Sequence, residues 1–204
     1  MGKDYSSSDA PFGFQPYDSV LRANLYAVQT APTIGVYHFD LVQHGGTAIS
    51  TKFGVLPIIE DGSVIDGDAQ LLGSVIAIFD ENMAPAKYIA AAEAGDGTVA
   101  GYIMVADHPD QLFLAQEDGA TNAIDLNETG YNADVICVAL NAGSSTTGLS
   151  TQQIDSDSAA NTEALQVRLV KPHEDDTVAD DSNPYARWVV MINEHFFGAT
   201  KGGA

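Results

Sequence analysis

The glycines of Gly95-Asp96-Gly97-Thr98-Val99-Ala100 have the Gly-x-Gly-x-x-Ala spacing that lets a loop approach the pyrophosphate of a dinucleotide. That chemistry needs a helix directly after the glycines, because its free N-terminal N–H groups hold the phosphates. Here Gly101-Tyr102-Ile103-Met104-Val105 follows, and such a run predicts a strand, so the segment reads as a turn. Nucleophilic catalysis has no better footing: there is no Gly-x-Ser-x-Gly elbow, and Ser144 and Ser145 lie among other small polar residues. His38, His44, His108, His173 and His195 are scattered without the His-x-x-x-His or Cys-x-x-Cys spacing of a zinc site. Cys137, the single cysteine, sits in Val135-Ile136-Cys137-Val138-Ala139-Leu140 with no Lys or Arg nearby. It reads as a small buried hydrophobe rather than a thiolate nucleophile.

Carboxylates are the remaining chemical resource. Asp155 with Asp157, and Glu174-Asp175-Asp176 with Asp180-Asp181, offer hard oxygen donors of the kind Ca²⁺ prefers, but without EF-hand spacing or a glycine-aspartate repeat. A glycosidase would need one carboxylic acid in an apolar pocket facing a second carboxylate. Exposed aromatics for stacking on sugar would usually accompany them, yet aromatics are only 8% of the chain and the one tryptophan, Trp188, falls in an apolar strand. The sequence therefore predicts no catalytic residue, no metal, no cofactor and no enzyme.

With 8 basic against 28 acidic residues, the formal net charge is -20. Such a surface repels nucleic-acid backbones and anionic membranes, so neither is an expected partner. The charge has two readings: a solvated coat that keeps the protein dispersed, or adaptation to a salty medium, where a Debye length of about 3 Å near 1 M salt weakens self-repulsion. Hydrophobic residues at 45% are enough for a real core, which excludes a wholly disordered chain. The opening Met1-Gly2-Lys3-Asp4-Tyr5-Ser6 lacks the apolar segment of a secretion signal. Gly2 with Ser6, and Asn127-Glu128-Thr129, match short acylation and glycosylation patterns that chance alone supplies.

The elements that would position any site are strands. Around Arg22, Asn24 and Tyr26 the period is two, with Leu21, Ala23, Leu25 and Ala27 on the other face, and 33–42 alternates likewise. Further strands are expected at 54–60, 74–79, 87–91, 98–105, 111–116, 133–140, 164–170 and 187–193. Asp61-Gly62, Asp66-Gly67, Asp96-Gly97 and Asp118-Gly119 supply the positive φ angles of tight turns between them. A short helix at 84–94 is an alternative for that alanine-rich stretch, and 141–161 and 174–183 read as exposed loops. The expected class is all-β, mainly antiparallel. The expected division is an extended arm at 1–19, a main sandwich or barrel at 20–50 plus 130–197, a smaller β-barrel lobe at 51–129, and a flexible tail at 198–204. In the arm, Phe12, Phe14 and Tyr17 stand among Pro11, Gly13 and Pro16. Proline and glycine oppose a helix there, so the three rings are expected to dock on the chain's own body or on a neighbour, and they are the candidate interface residues.

Gln15-Pro16-Tyr17-Asp18-Ser19-Val20-Leu21-Arg22-Ala23-Asn24-Leu25-Tyr26-Ala27-Val28, Leu56-Pro57-Ile58-Ile59-Glu60-Asp61-Gly62, Ala106-Asp107-His108-Pro109-Asp110-Gln111 and Ala186-Arg187-Trp188-Val189-Val190-Met191-Ile192-Asn193 carry a likeness of texture and order. In these segments the chain resembles structural proteins of tailed bacteriophages. The middle part, with its Gly-bounded strand 73–79 beside an alanine-rich turn, is similar to the small β-barrels of phage head-decoration proteins. That resemblance implies a virion capsid cement protein on the outside of the head, made in the host cytoplasm. It would be homo-oligomeric, with a trimer as one form, and would bind the major capsid protein through an N-terminal arm. No individual site residue carries over, because packing surfaces define that family. A receptor- or glycan-binding module of a tail or fibre is the alternative that the same β architecture allows.

Overall fold

The computed structural model describes residues 9–60, 70–119, 122–136, 143–174 and 184–198. In chain order the strands are β1 (Gln15–Pro16), β2 (Ala23–Gln29), β3 (Leu41–Thr51), β4 (Gly54–Glu60), β5 (Leu71–Asp80), β6 (Val99–Ala106), β7 (Leu112–Gln116), β8 (Asn132–Ala133), β9 (Val135–Ile136), β10 (Gln153–Ile154), β11 (Val167–Pro172) and β12 (Arg187–Ile192). Two single 3₁₀ turns, Leu126–Glu128 and Ser156–Ser158, are the only helical elements among the described residues. The protein is all-β, as its alternating sequence predicts.

β2, β4, β3, β5 and β6 close on themselves into a barrel. Four of its five seams are antiparallel; the closing seam, β2 to β4, is parallel and joins only Ala27 to Ile58 and Val28 to Ile59. Five further strands form an open antiparallel sheet in the order β1-β7-β12-β11-β8, and β9 pairs with β10 apart from it. β12 occupies the middle, and its Trp188 is fully buried, as expected of a central strand.

Alternation explains how the barrel packs. Tyr26, Val28, Ile59, Ile78 and Ile103 share one apolar cluster, whereas Ala27 and Tyr102 from the alternate positions share another with Leu25, Leu56 and Ile58. Barrel and sheet also share a core. Leu41, Leu71 and Ala106 of the barrel strands join Phe14, Phe113, Trp188 and Leu169, while their sequence neighbours Val42, Leu72 and Val105 face the barrel cluster. A strand end buried on both faces reads as a continuous apolar run, which is why 71–75 does not alternate.

Several expectations need correcting. The strands β2 and β3 of 20–50 close one barrel with β4, β5 and β6, and β7, assigned to the smaller lobe, is in the open sheet. The reason is pairing: β2 runs beside β6, and β7 beside β12. Of the two docking places expected for the arm, β1 takes the chain's own body, pairing with β7. Segment 33–40 is irregular, with isolated bridges of Val36 to Ile89 and His38 to Leu149 and backbone bonds of Phe39 and Asp40 to Val75, and the strand begins at Leu41. The stretch 84–94 is neither helix nor strand; Pro85 and the left-handed residues Met83 (φ 65°) and Ala92 (φ 58°) break both. Segment 143–161 is packed rather than exposed. Gln152 takes the place of a neighbouring strand, accepting from the Leu41 amide at 2.6 Å and donating to the Leu41 carbonyl at 3.3 Å. The Cys137 reading, the turns at 61–67, most of 174–183 and most of the tail lie outside the described residues.

Candidate functional site

The densest polar cluster grows out of β2. Arg22, Asn24 and Tyr26 alternate along one face and converge on fully buried Asp107, just past the end of β6. Arg22 donates Nε to Oδ1 at 2.8 Å, and Asn24 Nδ2 and the Tyr26 hydroxyl each donate to Oδ2 at 2.7 Å. Burial alone would raise the Asp107 pKa, but these three donors and the guanidinium charge outweigh it and hold the carboxyl below its ordinary range. The Tyr26 hydroxyl is pushed up by burial and by that carboxylate.

His195 lies against this cluster. The segment that carries it is tied to β5: Leu71 donates to the Glu194 carbonyl and Phe196 to the Leu71 carbonyl, each at 2.8 Å. His195 Nδ1 accepts from the Phe197 amide at 2.9 Å, while its Nε2 is buried without a partner. Burial lowers its pKa to about 4; Arg22 and His108 press the same way, and Asp107 and Asp110 oppose them. His195 is thus neutral near pH 7, beside the Arg22–Asp107 pair. The arrangement seats the segment around His195 on the barrel, with Arg22 5.0 Å above the Phe197 ring and His44 stacked 4.4 Å from Phe196.

Two further carboxyls are buried. Glu117 accepts from the Ile124 amide at 2.8 Å and the Ala186 amide at 3.1 Å. Burial raises its pKa to about 7 despite those donors, and the charges of Asp118 and Glu128 push the same way. Asp40 accepts from the Tyr37 amide at 2.7 Å, but its Oδ1 has no partner, and burial raises its pKa well above the ordinary value. It sits where the arm, the barrel and segment 148–152 meet, since neighbouring Phe39 accepts from Phe14 at 2.8 Å and the Ser150 amide donates to His38 at 2.8 Å. Each of these carboxyls holds separate chain segments together.

Of the expected interface residues, Phe14 is fully exposure-free and belongs to its own chain's core. Gly13 permits this approach: at φ 77°, a Cβ there would lie 2.4 Å from the Phe39 carbonyl oxygen. Phe12 and Tyr17 are half-buried, and Tyr17 rests beneath Lys171 at 5.4 Å. Asp155 and Asp157 have other partners: Asp155 closes its own turn, accepting from the Asp157 amide at 3.1 Å, and Asp157 ties in a distant segment, accepting from the Asn122 side chain at 2.9 Å. No group of three or more His, Cys, Asp or Glu side chains suited to a metal occurs among the described residues. Asp96 accepts from the Thr98 and Val99 amides at 2.9 and 3.0 Å, so the Gly-x-Gly segment is a turn into β6. Ser144 closes its own loop, accepting at Oγ from the Thr147 amide at 3.3 Å.

Two surface features stand out instead. At the β3–β4 hairpin, Phe53 is 48% and Val55 71% exposed, the latter the most exposed large hydrophobic residue described. Phe53 is held edge-on to Tyr102 at 5.3 Å, and Lys52 bonds to Asn82 at 3.0 Å, so the tip is braced. The second is a polar cleft of about 390 Å³ where β2 leaves the barrel beside β3 and β4. No known protein family, curated protein or solved structure matches the chain. No helix among the described residues is long and apolar enough to cross a membrane.

Proposed function

We propose that the chain is a virion structural protein, a decoration or cement subunit that binds the major capsid protein lattice and neighbouring copies of itself. The braced hairpin carries this reading. Burying an apolar side chain of this size contributes about 1.5–3 kcal/mol, and a fixed tip forfeits little ordering entropy when it docks. Repeated around a symmetric shell, even one modest contact per copy accumulates. The net charge of -20 supports a position on the capsid exterior, away from packaged nucleic acid. The arm's share of the contacts falls to Phe12 and Tyr17, which keep one side toward solvent, rather than to Phe14.

Co-sedimentation of the purified protein with capsid shells of the encoding virus tests this. Saturable binding at a stoichiometry fixed by the lattice is expected. Saturable binding to host cells with none to shells would overturn it in favour of a tail or fibre module.

A further inference from the structure

Segment 194–197 is fastened to the barrel by backbone and by rings. His195 bridges in parallel to Leu71 at the start of β5, through the Leu71 amide to the Glu194 carbonyl and the Phe196 amide to the Leu71 carbonyl. Phe196 packs against the barrel cluster and stacks on His44, and Phe197, 46% exposed, lies under Arg22. His195 precedes both rings, and one bond closes its turn, from the Phe197 amide to Nδ1.

That bond fixes where the ring takes up a proton. Nδ1 accepts, so the hydrogen of the neutral ring is on Nε2, where it is buried with no acceptor. A second proton can enter only at Nδ1. There it turns an acceptor into a donor aimed at the Phe197 N–H, and the bond that closes the turn is lost. The new charge finds no ready counter-charge. The Asp107 carboxylate already serves Arg22, Asn24 and Tyr26, and Arg22 is held by bonds to both the side chain and the carbonyl of Asp107. Burial is the largest influence holding the proton off; among the described residues Arg22 and His108 act with it, and Asp107 and Asp110 against it. Glu194 flanks the ring in the chain, His44 meets the segment at Phe196, and Leu71 and Leu72 bring no charge from β5.

We propose that segment 194–197 is an acid-released latch, which lets go of the barrel when Nδ1 of His195 takes up a proton. Release breaks the two backbone bonds at Leu71, frees the edge of β5 at that point and uncovers the barrel side chains beneath Phe196. This device is separate from docking at the hairpin, and its failure would leave the capsid reading intact.

Hydrogen exchange of the ¹⁵N-labelled full chain between pH 7 and pH 4, with and without dilute urea, tests the proposal. Exchange is read as protection factors, so that the intrinsic pH dependence cancels. Below pH 6.5 the protection of the Leu71, Phe196 and Phe197 amides is expected to fall about tenfold per pH unit, up to about 300-fold by pH 4, as linkage to one proton requires. That exchange is expected to ignore dilute urea, as a local opening does, whereas the Ile103 amide, in a strand laddered on both sides, responds to it. His195→Gln keeps an acceptor for Phe197 but cannot titrate, so its three amides are expected to show no such slope, while His44→Gln is expected to keep the parent's. The proposal is overturned if the parent's three amides stay equally protected from pH 6.5 to 4, or if they exchange only by the urea-sensitive route of Ile103. It is equally overturned if His195→Gln retains the slope or His44→Gln abolishes it. Should His195→Gln not fold, the parent's slope and its response to urea decide alone.

Discussion

Replacing Glu117 with Gln isolates one buried carboxyl. Its ordinary pKa of 4.5 is raised to about 7 in the folded chain. Between these values the folded state keeps a proton that the unfolded state has released. The stabilisation is therefore complete below 4.5 and is lost as pH rises through 7. At about 1.4 kcal/mol per tenfold change, a gap of about 2.5 pH units amounts to about 3 kcal/mol. Gln cannot titrate. It also turns an N–H₂ donor toward one of the two amides, Ile124 or Ala186, that the carboxyl now accepts. One buried N–H then loses its acceptor, at a pH-independent cost of about 1–3 kcal/mol. Urea unfolding of both proteins from pH 4.5 to 8 should show Glu117→Gln clearly less stable at the acid end. The difference should shrink steadily and reach zero or reverse at the alkaline end. A difference that stays constant across that range would refute the reasoning, because it would mean that Glu117 ionises alike in both states.

Phe14→Ala should destabilise the fold by about 3–5 kcal/mol, measured as a shift in the urea midpoint, because the ring is fully buried in the core shared by sheet and barrel. A loss below about 1 kcal/mol would return this residue to the role of a detachable arm anchor. His195 acts in the opposite sense to Glu117. Its pKa is lowered from 6.5 to about 4, so its contribution is present above 6.5 and lost as pH falls toward 4. His195→Gln should change the slope of stability against pH over that interval by up to one proton, in the direction of stability falling as pH rises, and an unchanged slope would contradict the burial described for the ring.

Strands whose apolar residues alternate without interruption are legible in the sequence. The expected strand at 54–60 coincides with β4, and 187–193 overlaps β12 to within one residue. The strand 41–51 was hidden because Gln43-His44-Gly45-Gly46-Thr47 carries a bulge that breaks the period. Alternation at 33–40 misled because an apolar segment can bury its residues without forming a ladder: Ile34, Gly35 and Val36 are all buried, yet only Val36 and His38 make isolated bridges. The polar cluster was half legible. Arg22, Asn24 and Tyr26 share a face by their spacing, but their acceptor Asp107 lies 85, 83 and 81 residues away, and no local pattern announces it. Glu117 and Asp40 gave no signal, since a buried carboxyl and a solvated one look alike in a chain with 28 acidic residues. The division into domains failed because strand partners are chosen through long-range pairing rather than sequence proximity.

The direct test of subunit contact is side-by-side sedimentation of the parent protein and a Phe53→Ser, Val55→Ser double variant with capsid shells. Val55 is 71% and Phe53 48% exposed, so the variant should keep the parent's fold, with a small drop in urea midpoint from the lost Phe53–Tyr102 contact. The parent should saturate the shells, and the variant's affinity should fall at least about tenfold, as expected for losing about 1.4 kcal/mol or more of apolar contact. A parent protein that never sediments with shells, or a variant that binds them as tightly as the parent, would contradict docking through this hairpin.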